Sequence, residues 1–312
     1  MMKLTENKIV LIKRKTRLEE LIAKYNTLAQ AKFYIEHLQA DFSDYLAEDQ
    51  KYQAVISEAQ NTLETLGRVQ VVDRQYISNF IFGENDLVVA VGQDGLVANT
   101  LKYLTNQLLI GINPDPARWD GVLLPFRVTD LNRIVQDVFK QKRPVEEVSM
   151  AKAVLNDGQV MYAVNDLFVG QKTHVSARYQ LEISGEREQQ SSSGIIVSTG
   201  LGATGWLKSV IAGATHIVNC LAGSDLKVRQ ETEFRWNQEY LYYSVREPFP
   251  SRTSQANLVF GKITRESPLK IRSQMPENGV IFSDGIESDF IQFNSGVEAT
   301  VTVAEKKGRL VV

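Results

Sequence analysis

The stretch that decides the fold is DLVVAVGQDG, residues 86–95. It runs from a continuous apolar segment into an aspartate flanked by glycines, and such apolar runs are typical of buried parallel strands. The spacing over 96–108 predicts a helix, and LLIGIN (108–113) predicts a second strand. This strand–loop–helix–strand order predicts a Rossmann-like parallel α/β layer with the glycine–aspartate loop at a strand-to-helix turn.

Upstream of this stretch, residues 8–13 predict a short strand and residues 16–67 predict helical structure. One predicted face carries apolar residues at three- and four-residue spacing, namely Leu18, Leu21, Ile22, Tyr25 and Leu28. The apolar repeat does not hold over several heptads, so packing on a sheet is favoured over a coiled coil. A dimer contact is the second option for these helices.

Downstream, Pro144 marks a change of character, and from about residue 148 the chain is dominated by short strand-like runs. One helix, at about 206–221, interrupts them, and the polar stretch Gln189–Ser193 is predicted to be a hairpin loop. Closely spaced short strands favour a β-sandwich or an open β-rich domain. The predicted domains are therefore an α/β domain over 1–145 that carries the Gly-Gln-Asp-Gly loop and a β-rich domain over 146–290.

The composition limits the classes of partner. The 312 residues suggest about two domains, and 43% hydrophobic and 23% charged residues are ordinary for a globular protein. A formal net charge of −2 gives no basic field that would attract nucleic acid or an anionic membrane. The single cysteine, Cys220, and three scattered histidines predict neither a disulfide nor a metal site. The amino-terminal residues lack the apolar stretch of a signal peptide, so we expect a cytoplasmic protein.

The first candidate for chemistry is the loop Gly92-Gln93-Asp94-Gly95. Backbone N–H groups at the start of a helix favour a phosphate, and glycines let the backbone approach it closely. A carboxylate there suits an acceptor from a substrate hydroxyl, or a partner for a phosphate-bound Mg²⁺. The alternative interpretation is a tight turn with a helix-capping aspartate.

Two further candidates are acidic. Asn165-Asp166 lies inside the apolar segment AVNDLFVG, where polar groups need partners if they are buried. They could hold ribose hydroxyls or a base amine, or they could form a β-bulge or a capped turn. Asp284-Gly285, at the end of the strand-like run GVIF, is by itself typical of a hairpin turn.

The last candidate is the loop STGLGATGW, residues 198–206, between a strand-like run and a helix. Residues 200–205 match G-x-G-x-x-G literally, and Asp225 follows about twenty residues later, which is the dinucleotide fingerprint of dehydrogenases. Its place inside the β-rich half weakens that interpretation. On either interpretation, the loop offers glycines, hydroxyls and an aromatic ring to a nucleotide.

The four elements occur in an order that resembles the NAD kinase family. Its Gly-Gly-Asp-Gly, Asn-Glu, Thr-Pro-Thr-Gly-Ser-Thr-Ala-Tyr and Asp-Gly motifs are matched at 92–95, 165–166, 199–206 and 284–285. The sequences around the motifs resemble the mitochondrial-type members more than the others. In particular, GINPDPARWDGVLLPFR (111–127) is similar to their segment with Gly-Val-Asn-Thr-Asp-Pro and Leu-Pro-Val-Arg. The likeness covers most of residues 85–290.

The resemblance implies a kinase that phosphorylates the adenosine ribose 2′-hydroxyl of NAD with ATP and a divalent metal such as Mg²⁺ carried by the nucleotide. It implies that Asp94 orients or deprotonates that hydroxyl and that Gly92 and Gly95 approach phosphate. The implied dinucleotide-site residues are Asn165, Asp166, Thr199, Gly200, Thr204, Gly205, Trp206, Ser209 and Asp284. It further implies a carboxyl-terminal segment, 291–312, that returns toward the first domain, and a homodimer or higher assembly.

Some residues depart from the family pattern, so alternatives stay open. Gln93 replaces the second glycine, Asp166 is one methylene shorter than Glu, and Leu201 and Ala203 remove two hydroxyls. The alternatives are a related kinase with a lipid or sugar acceptor, an NAD-binding sensor or pseudokinase, and, as the outlier, a dehydrogenase. The sequence does not distinguish ATP from polyphosphate as donor, or NAD from NADH as acceptor.

Overall fold

The structure is a computed structural model that describes residues 5–227 and 234–312. Its internal contacts divide the chain into two units. The first comprises Met1–Glu146 together with Arg309–Val312, and the second comprises Glu147–Gly308.

The first unit is an α/β layer with a parallel sheet. Its elements are β1 (Lys8–Lys13), α1 (Arg17–Tyr25), α2 (Leu28–His37), α3 (Ser43–Leu66), β2 (Arg68–Asp73), β3 (Leu87–Val91), α4 (Asp94–Leu101), β4 (Leu108–Ile112) and α5 (Leu131–Phe139). The strands lie in the order β2-β1-β3-β4, and every pair is parallel. All five residues of β3 are buried, as its continuous apolar sequence predicts. The predicted parallel layer is confirmed.

The stretch predicted to be helical over 16–67 is three helices. The first break is at Asn26, whose φ of 67° ends α1 in the left-handed region, and Thr27 then caps α2. Only α3 packs on the sheet, with Tyr52, Ile56 and Leu63 inside the core that the strands line. The helices α1 and α2 contribute instead to a small core of their own, built from Leu18, Ala31, Ile35 and Phe42.

Two predicted helices are shorter than expected. The helix predicted over 96–108 ends at Leu101, because the next N–H groups, of Tyr103 and Leu104, bond to carbonyls three residues back and tighten the chain into a turn. The sequence LNRIVQDVFKQK (131–142) also predicts a helix, which ends at Phe139 in the structure, and Gln141 has a left-handed φ of 54°.

The second unit is a sandwich of two mainly antiparallel sheets. Its elements are β5 (Val145–Leu155), β6 (Val160–Ala163), β7 (Asp166–Gln171), β8 (Ala177–Ile183), β9 (Glu186–Ser192), β10 (Ile195–Ser198), α6 (Trp206–Ala222), β11 (Leu241–Val245), β12 (Phe260–Ile263), β13 (Leu269–Ser273), β14 (Gly279–Ser283), β15 (Phe290–Gln292) and β16 (Glu298–Val311). One sheet has the order β12-β11-β10-β7-β14-β15, and a single core packs its residues against those of β5, β8, β13 and β16. The predicted β-sandwich is confirmed.

The predicted hairpin loop at Gln189–Ser193 is wrong, because most of it belongs to β9, which pairs with β8 over its whole length. The sequence did not predict this strand because its residues are mostly polar. Glu188, Gln190 and Ser192 are buried, and hydrogen bonds satisfy the Glu188 carboxylate and the Ser192 hydroxyl inside the unit.

The strand β16 contributes to both units. Its first residues pair antiparallel with β13, whereas Arg309 and Leu310 pair parallel with Leu108 and Leu109 of β4. In the described part of the chain, no helix has the length and apolar character that a membrane crossing requires.

Candidate functional site

The Asp94 loop lies at the carboxyl end of β3, in the first unit. The N–H of Gly92 donates to the carbonyl of Ile112 (3.2 Å), so the loop begins beside the end of β4. Asp94 is the first residue of α4 and is half-buried. Its Oδ1 accepts a hydrogen bond from the backbone N–H of Leu123 (2.7 Å). Asp94 therefore does not cap its helix, contrary to the alternative interpretation. Its carboxylate instead accepts a hydrogen bond from a residue 29 positions later in the chain.

The glycines of this loop are not required by backbone conformation. A Cβ at Gly92 would meet only the Leu96 side chain, at 2.8 Å, whereas a Cβ at Gly95 would meet nothing within 4 Å. Gln93 has φ of −119°, which any residue adopts, and its side chain makes no capping bond. Open space over Gly95 at the start of α4 suits the approach of an anion to the helix.

The segment that holds Leu123 in place is the one that resembles GVNTDP, residues 111–127. A Cβ at Gly111 would lie 2.1 Å from the Leu123 carbonyl oxygen, so only glycine lets β4 pass so close to this segment. The buried Asn113 donates from Nδ2 to the Trp119 carbonyl (2.9 Å) and accepts at Oδ1 from the Asp115 N–H (3.0 Å). Sequence reasoning quoted this segment but assigned no site residue within it.

In the second unit, the Asn165-Asp166 corner, the 199–206 loop and Asp284 come together. The Asn165 carbonyl accepts from the Thr199 N–H (2.9 Å), and a Cβ at Gly202 would lie 2.1 Å from the same carbonyl oxygen. The fully buried Thr199 hydroxyl donates to the Val164 carbonyl (2.6 Å). Three motifs that are spread over residues 165–285 therefore form one hydrogen-bonded corner.

Asp284 is the anchor of this corner. Its carboxylate accepts from the backbone N–H groups of Val164 (3.0 Å), Asn165 (2.6 Å) and Asp166 (3.3 Å), and its own N–H donates to the Asp166 carbonyl (2.9 Å). Its φ of 54° is left-handed, a conformation that aspartate tolerates better than most residues. The connection between β14 and β15 is also the hairpin that the Asp-Gly pair predicts.

Asp166 has an unusual carboxyl group. Its Oδ1 is buried and has no hydrogen-bond partner in the described part of the chain. Burial raises its pKa to about 7, the Ser198 hydroxyl opposes that shift by hydrogen bonding, and the negative Asp284 adds to it. Near neutral pH this carboxyl is therefore present in both protonation states and can act as a hydrogen-bond donor.

The 199–206 loop is buried as far as Ala203 and becomes exposed at Thr204. A Cβ at Gly200 would lie 2.1 Å from the Arg235 carbonyl oxygen, so this glycine also serves close packing. Thr204 and Gly205 are exposed, and so is Ser209, whose hydroxyl lies 3.3 Å from the Gly205 carbonyl oxygen. The loop ends at the half-buried Trp206, which begins α6.

A cavity of about 360 Å³ lies beside Trp206 within the second unit. Phe168 stacks on the Trp206 ring (5.9 Å) and on Phe282 (4.8 Å), and the Arg246 guanidinium lies 5.4 Å from the Trp206 ring. Lys172 also lines the cavity. Aromatic faces next to cations suit a flat ring attached to an anionic group.

The comparisons with known proteins point to one family. No protein-family model matches the chain. Among curated proteins, the mitochondrial NAD kinase 2 of Homo sapiens is 25% identical over 281 residues, covering 70% of this chain and 63% of that protein. The Rattus norvegicus counterpart is 26% identical, covering 70% and 65%. NAD kinase 2 of Geobacillus kaustophilus (strain HTA426) is 23% identical over 159 residues, covering 49% and 59%.

Two solved structures share the fold along nearly the whole chain. An NAD kinase from Archaeoglobus fulgidus in complex with ATP has a TM-score of 0.57 at 16% identity, over 98% of this chain and 93% of that one. A yeast NADH kinase complexed with NADH has a TM-score of 0.59 at 15% identity, over 98% and 84%. The resemblance to NAD kinases is confirmed. The chain spans less than two thirds of the length of the curated NAD kinases that it matches.

The NAD kinase likeness is preferable to the dehydrogenase interpretation of residues 200–205. A dehydrogenase fingerprint needs a parallel β-α-β unit, whereas β10 pairs antiparallel with both β7 and β11. Asp225 is exposed and follows α6 instead of ending a strand. Of the glycines that match the fingerprint, Gly200 and Gly202 serve close packing within the loop.

Among the described residues, no group of three or more His, Cys, Asp or Glu side chains is arranged to hold a metal ion. The structure gives each of the predicted site residues a place in one of the two units. Sequence reasoning missed Leu123 and Gly111, and the only available signal was the likeness of residues 111–127 to mitochondrial-type NAD kinases.

Proposed function

We propose that the chain is an NAD kinase-like phosphotransferase that transfers the terminal phosphoryl group of ATP to the adenosine ribose 2′-hydroxyl of NAD, giving NADP. The observation that carries this proposal is the corner that joins Asn165-Asp166, the 199–206 loop and Asp284 through backbone hydrogen bonds. The names of the curated relatives and the fold shared with NAD and NADH kinases support the same reaction.

Asp94 has the features of the residue that receives the hydroxyl proton. It stands at the carboxyl end of a parallel strand, where α/β sheets bind ligands, and the Leu123 N–H fixes one of its carboxylate oxygens. A half-buried carboxylate oriented in this way can accept the proton of an attacking hydroxyl. Positioning and charge neutralisation supply most of the catalysis in phosphoryl transfer.

The second unit supplies the features that suit the dinucleotide. Asn165 and Asp166 are proposed to hold adenosine-side groups, with Asp166 able to donate or accept according to its protonation state. The exposed Thr204, Gly205 and Ser209, together with Trp206, are proposed to line the remainder of the site. The buried hydroxyl of Thr199 contributes by shaping the loop.

ATP is the proposed donor, and Mg²⁺ is proposed to arrive with it as part of the substrate. The fit rests on oxygen chemistry, because magnesium is usually held by substrate phosphates and one or two carboxylates. The helix start at Asp94 and Gly95 offers backbone N–H groups and open space to the phosphates. Chelation of divalent ions is expected to stop turnover, and excess Mg²⁺ is expected to restore it.

The direct test measures NADP formed by the purified chain from ATP, Mg²⁺ and NAD, with NADH, polyphosphate, a sphingoid lipid and a simple sugar in parallel reactions. We expect NADP formation that is lost in Asp94→Asn, while Asp157→Asn, a change at an exposed turn, retains it. Phosphorylation of the lipid or sugar in place of NAD would contradict the proposed acceptor.

A second candidate is an NAD-binding sensor, and Gln93 is the observation that favours it. A side chain stands where NAD kinases have the second glycine of their motif, at the start of the helix that would meet the donor phosphates. Binding of NAD without turnover, measured by calorimetry, would support the sensor. A homodimer and a cytoplasmic location are also proposed, and light scattering of the purified chain and fractionation of its cells test them.

A further inference from the structure

We propose that Arg118 is a positioning residue for Asp94. Its ion pairs with α3 hold the segment that presents the Leu123 N–H to the Asp94 carboxylate. This inference rests on the proposed function only in calling Asp94 catalytic, because every contact in the argument lies within the first unit.

The Arg118 guanidinium binds Asp44 with two nitrogens. Its Nη2 donates to Oδ1, and its Nη1 donates to Oδ2 at 3.1 Å. Arg17 donates to the same carboxylate at 2.7 Å. Hydrogen bonds from Arg118 and then Arg17 hold the pKa of Asp44 well below its usual range. A forked, two-oxygen pair fixes direction as well as distance, which a lysine does not do.

The α3 side of the pair is firmly anchored. Glu48, one turn beyond Asp44, is buried and binds Arg14 (3.0 Å) and Arg17. Tyr52, one turn further, accepts from the Arg14 N–H (2.9 Å) and donates its hydroxyl to the Val91 carbonyl (2.8 Å). Val91 directly precedes the Asp94 loop, so α3 is tied to the strand that carries the loop.

The other side of the pair leads to Leu123. Asp115 binds Lys51 of α3 (2.5 Å) and lies 3.7 Å from Arg118, and its carbonyl accepts from the N–H groups of Arg118 and Trp119 (3.0 Å each). The Asn113 side chain forms hydrogen bonds with Asp115 and Trp119, at the two ends of this turn. A second turn, which contains Leu123, is closed by a hydrogen bond from the Leu124 N–H to the Gly121 carbonyl (3.0 Å).

Position, rather than overall stability, is the expected contribution of this pair. The side chains of Arg118 and Asp44 are 29% and 42% exposed, and ion pairs as exposed as this contribute little to the free energy of folding. Misplacing a catalytic group by about 1 Å can nevertheless reduce a rate by about a hundredfold. Loss of Arg118 should therefore act on the Leu123 bond and on turnover more than on the unfolding temperature.

The test compares Arg118→Ala and Arg118→Lys with Arg133→Ala. Arg133 is the matched control, because it belongs to the same unit and makes an exposed pair with Asp130 at 3.3 Å. Amide hydrogen exchange of Leu123, followed by NMR, is the first readout. We expect Arg118→Ala to speed that exchange by about tenfold, the loss of roughly 1.4 kcal/mol of local protection. Arg118→Lys should be intermediate, and Arg133→Ala should match the parent chain.

Steady-state kinetics is the second readout. In Arg118→Ala we expect kcat to fall by about tenfold with little change in KM for either substrate, which is the pattern of a lost transition-state interaction. In an Asp94→Asn background, Arg118→Ala should not lower whatever residual turnover is measured. Unchanged Leu123 exchange in Arg118→Ala would overturn the inference whatever the activity. A parent chain without kinase activity would instead overturn the proposed function, and the exchange result would still decide the structural role.

Discussion

Two Asp-Gly pairs of the chain, at residues 94–95 and 284–285, come after buried strands, and the structure uses them differently. Asp94 begins a helix and accepts one backbone N–H, from Leu123. Asp284 has a left-handed φ and accepts three, from Val164, Asn165 and Asp166. The same dipeptide therefore provides a partly available carboxylate in the first unit and a fully engaged anchor in the second.

This difference in hydrogen bonding distinguishes a carboxylate that is suited to chemistry from one that has a structural role. A carboxylate with capacity to spare can take a substrate proton, whereas one that satisfies three N–H groups mainly determines where its neighbours lie. Sequence reasoning assigned Asp94 to catalysis and Asp284 to the dinucleotide site. The hydrogen bonds of Asp284 instead fix the backbone of residues 164–166.

The largest expected effects come from making the same substitution at both positions. Asp94→Ala should lower kcat by at least about a hundredfold, because the proposed proton acceptor is lost. Asp284→Ala should destabilise the protein by about 3 kcal/mol, because three backbone N–H groups lose their acceptor. Turnover assays and urea unfolding measure the two effects, with Asp157→Ala as the exposed control. A stable Asp284→Ala protein would remove the distinction between the two pairs.

Alanine substitutions at Gly202 and Gly95 extend the comparison of the two units, with smaller expected effects. Gly202→Ala should destabilise by about 1–3 kcal/mol, because its Cβ would lie 2.1 Å from the Asn165 carbonyl oxygen and force the loop away. Gly95→Ala should leave stability unchanged or raise it by up to about 1 kcal/mol, because the space is open and alanine favours a helix. Thermal unfolding measures both. A raised KM for ATP in Gly95→Ala alone would support phosphate approach at that residue.

Protonation of Asp166 should make the stability of the protein depend on pH. Its pKa is raised to about 7, so the folded state favours the protonated carboxyl. The stabilisation is fully present below about pH 4 and is lost as the pH rises through about 7. Asp166→Asn should remove this slope, and so should be more stable than the parent at pH 8 relative to pH 5. Unfolding temperatures measured at both values, with Asp157→Asn beside them, test this.

The smallest expected effect is at Gln93. If its side chain obstructs donor phosphates, Gln93→Gly should lower the KM for ATP by about threefold, which is under 1 kcal/mol. Arg133→Ala, which removes an exposed ion pair in the same unit, is the control for a general effect on that unit. An unchanged KM for ATP would show that the glutamine does not impede the donor.

Local patterns predicted much of the fold and the positions of the site loops. The unbroken apolar sequence of β3 predicted a buried parallel strand, and the closely spaced strands after residue 148 predicted the sandwich. Leucine spacing predicted helices over 16–67 but not their three-part division, because a single left-handed asparagine breaks the first from the second. Polar side chains concealed β9, whose inward residues find partners inside the unit.

The hydrogen bonds of the candidate site were beyond reach from the sequence, because they join residues far apart in the chain. The Asp284 carboxylate meets backbone N–H groups about 120 residues earlier, and Asp94 meets one 29 residues later. Every residue type except proline has a backbone N–H, so a sequence motif does not predict which N–H groups a carboxylate will bind. The requirement for glycine at residue 111 is equally hidden, because its cause is the Leu123 carbonyl oxygen.

The strand β16 has a consequence for the order in which the protein is made. Residues 309–312 belong to the first unit, yet the ribosome adds them only after the whole second unit has been synthesised. Until then, the edge of β4 that receives Arg309 and Leu310 is uncovered, and an exposed strand edge invites pairing with other chains. The nascent protein should therefore depend on chaperones longest at its earliest-made sheet.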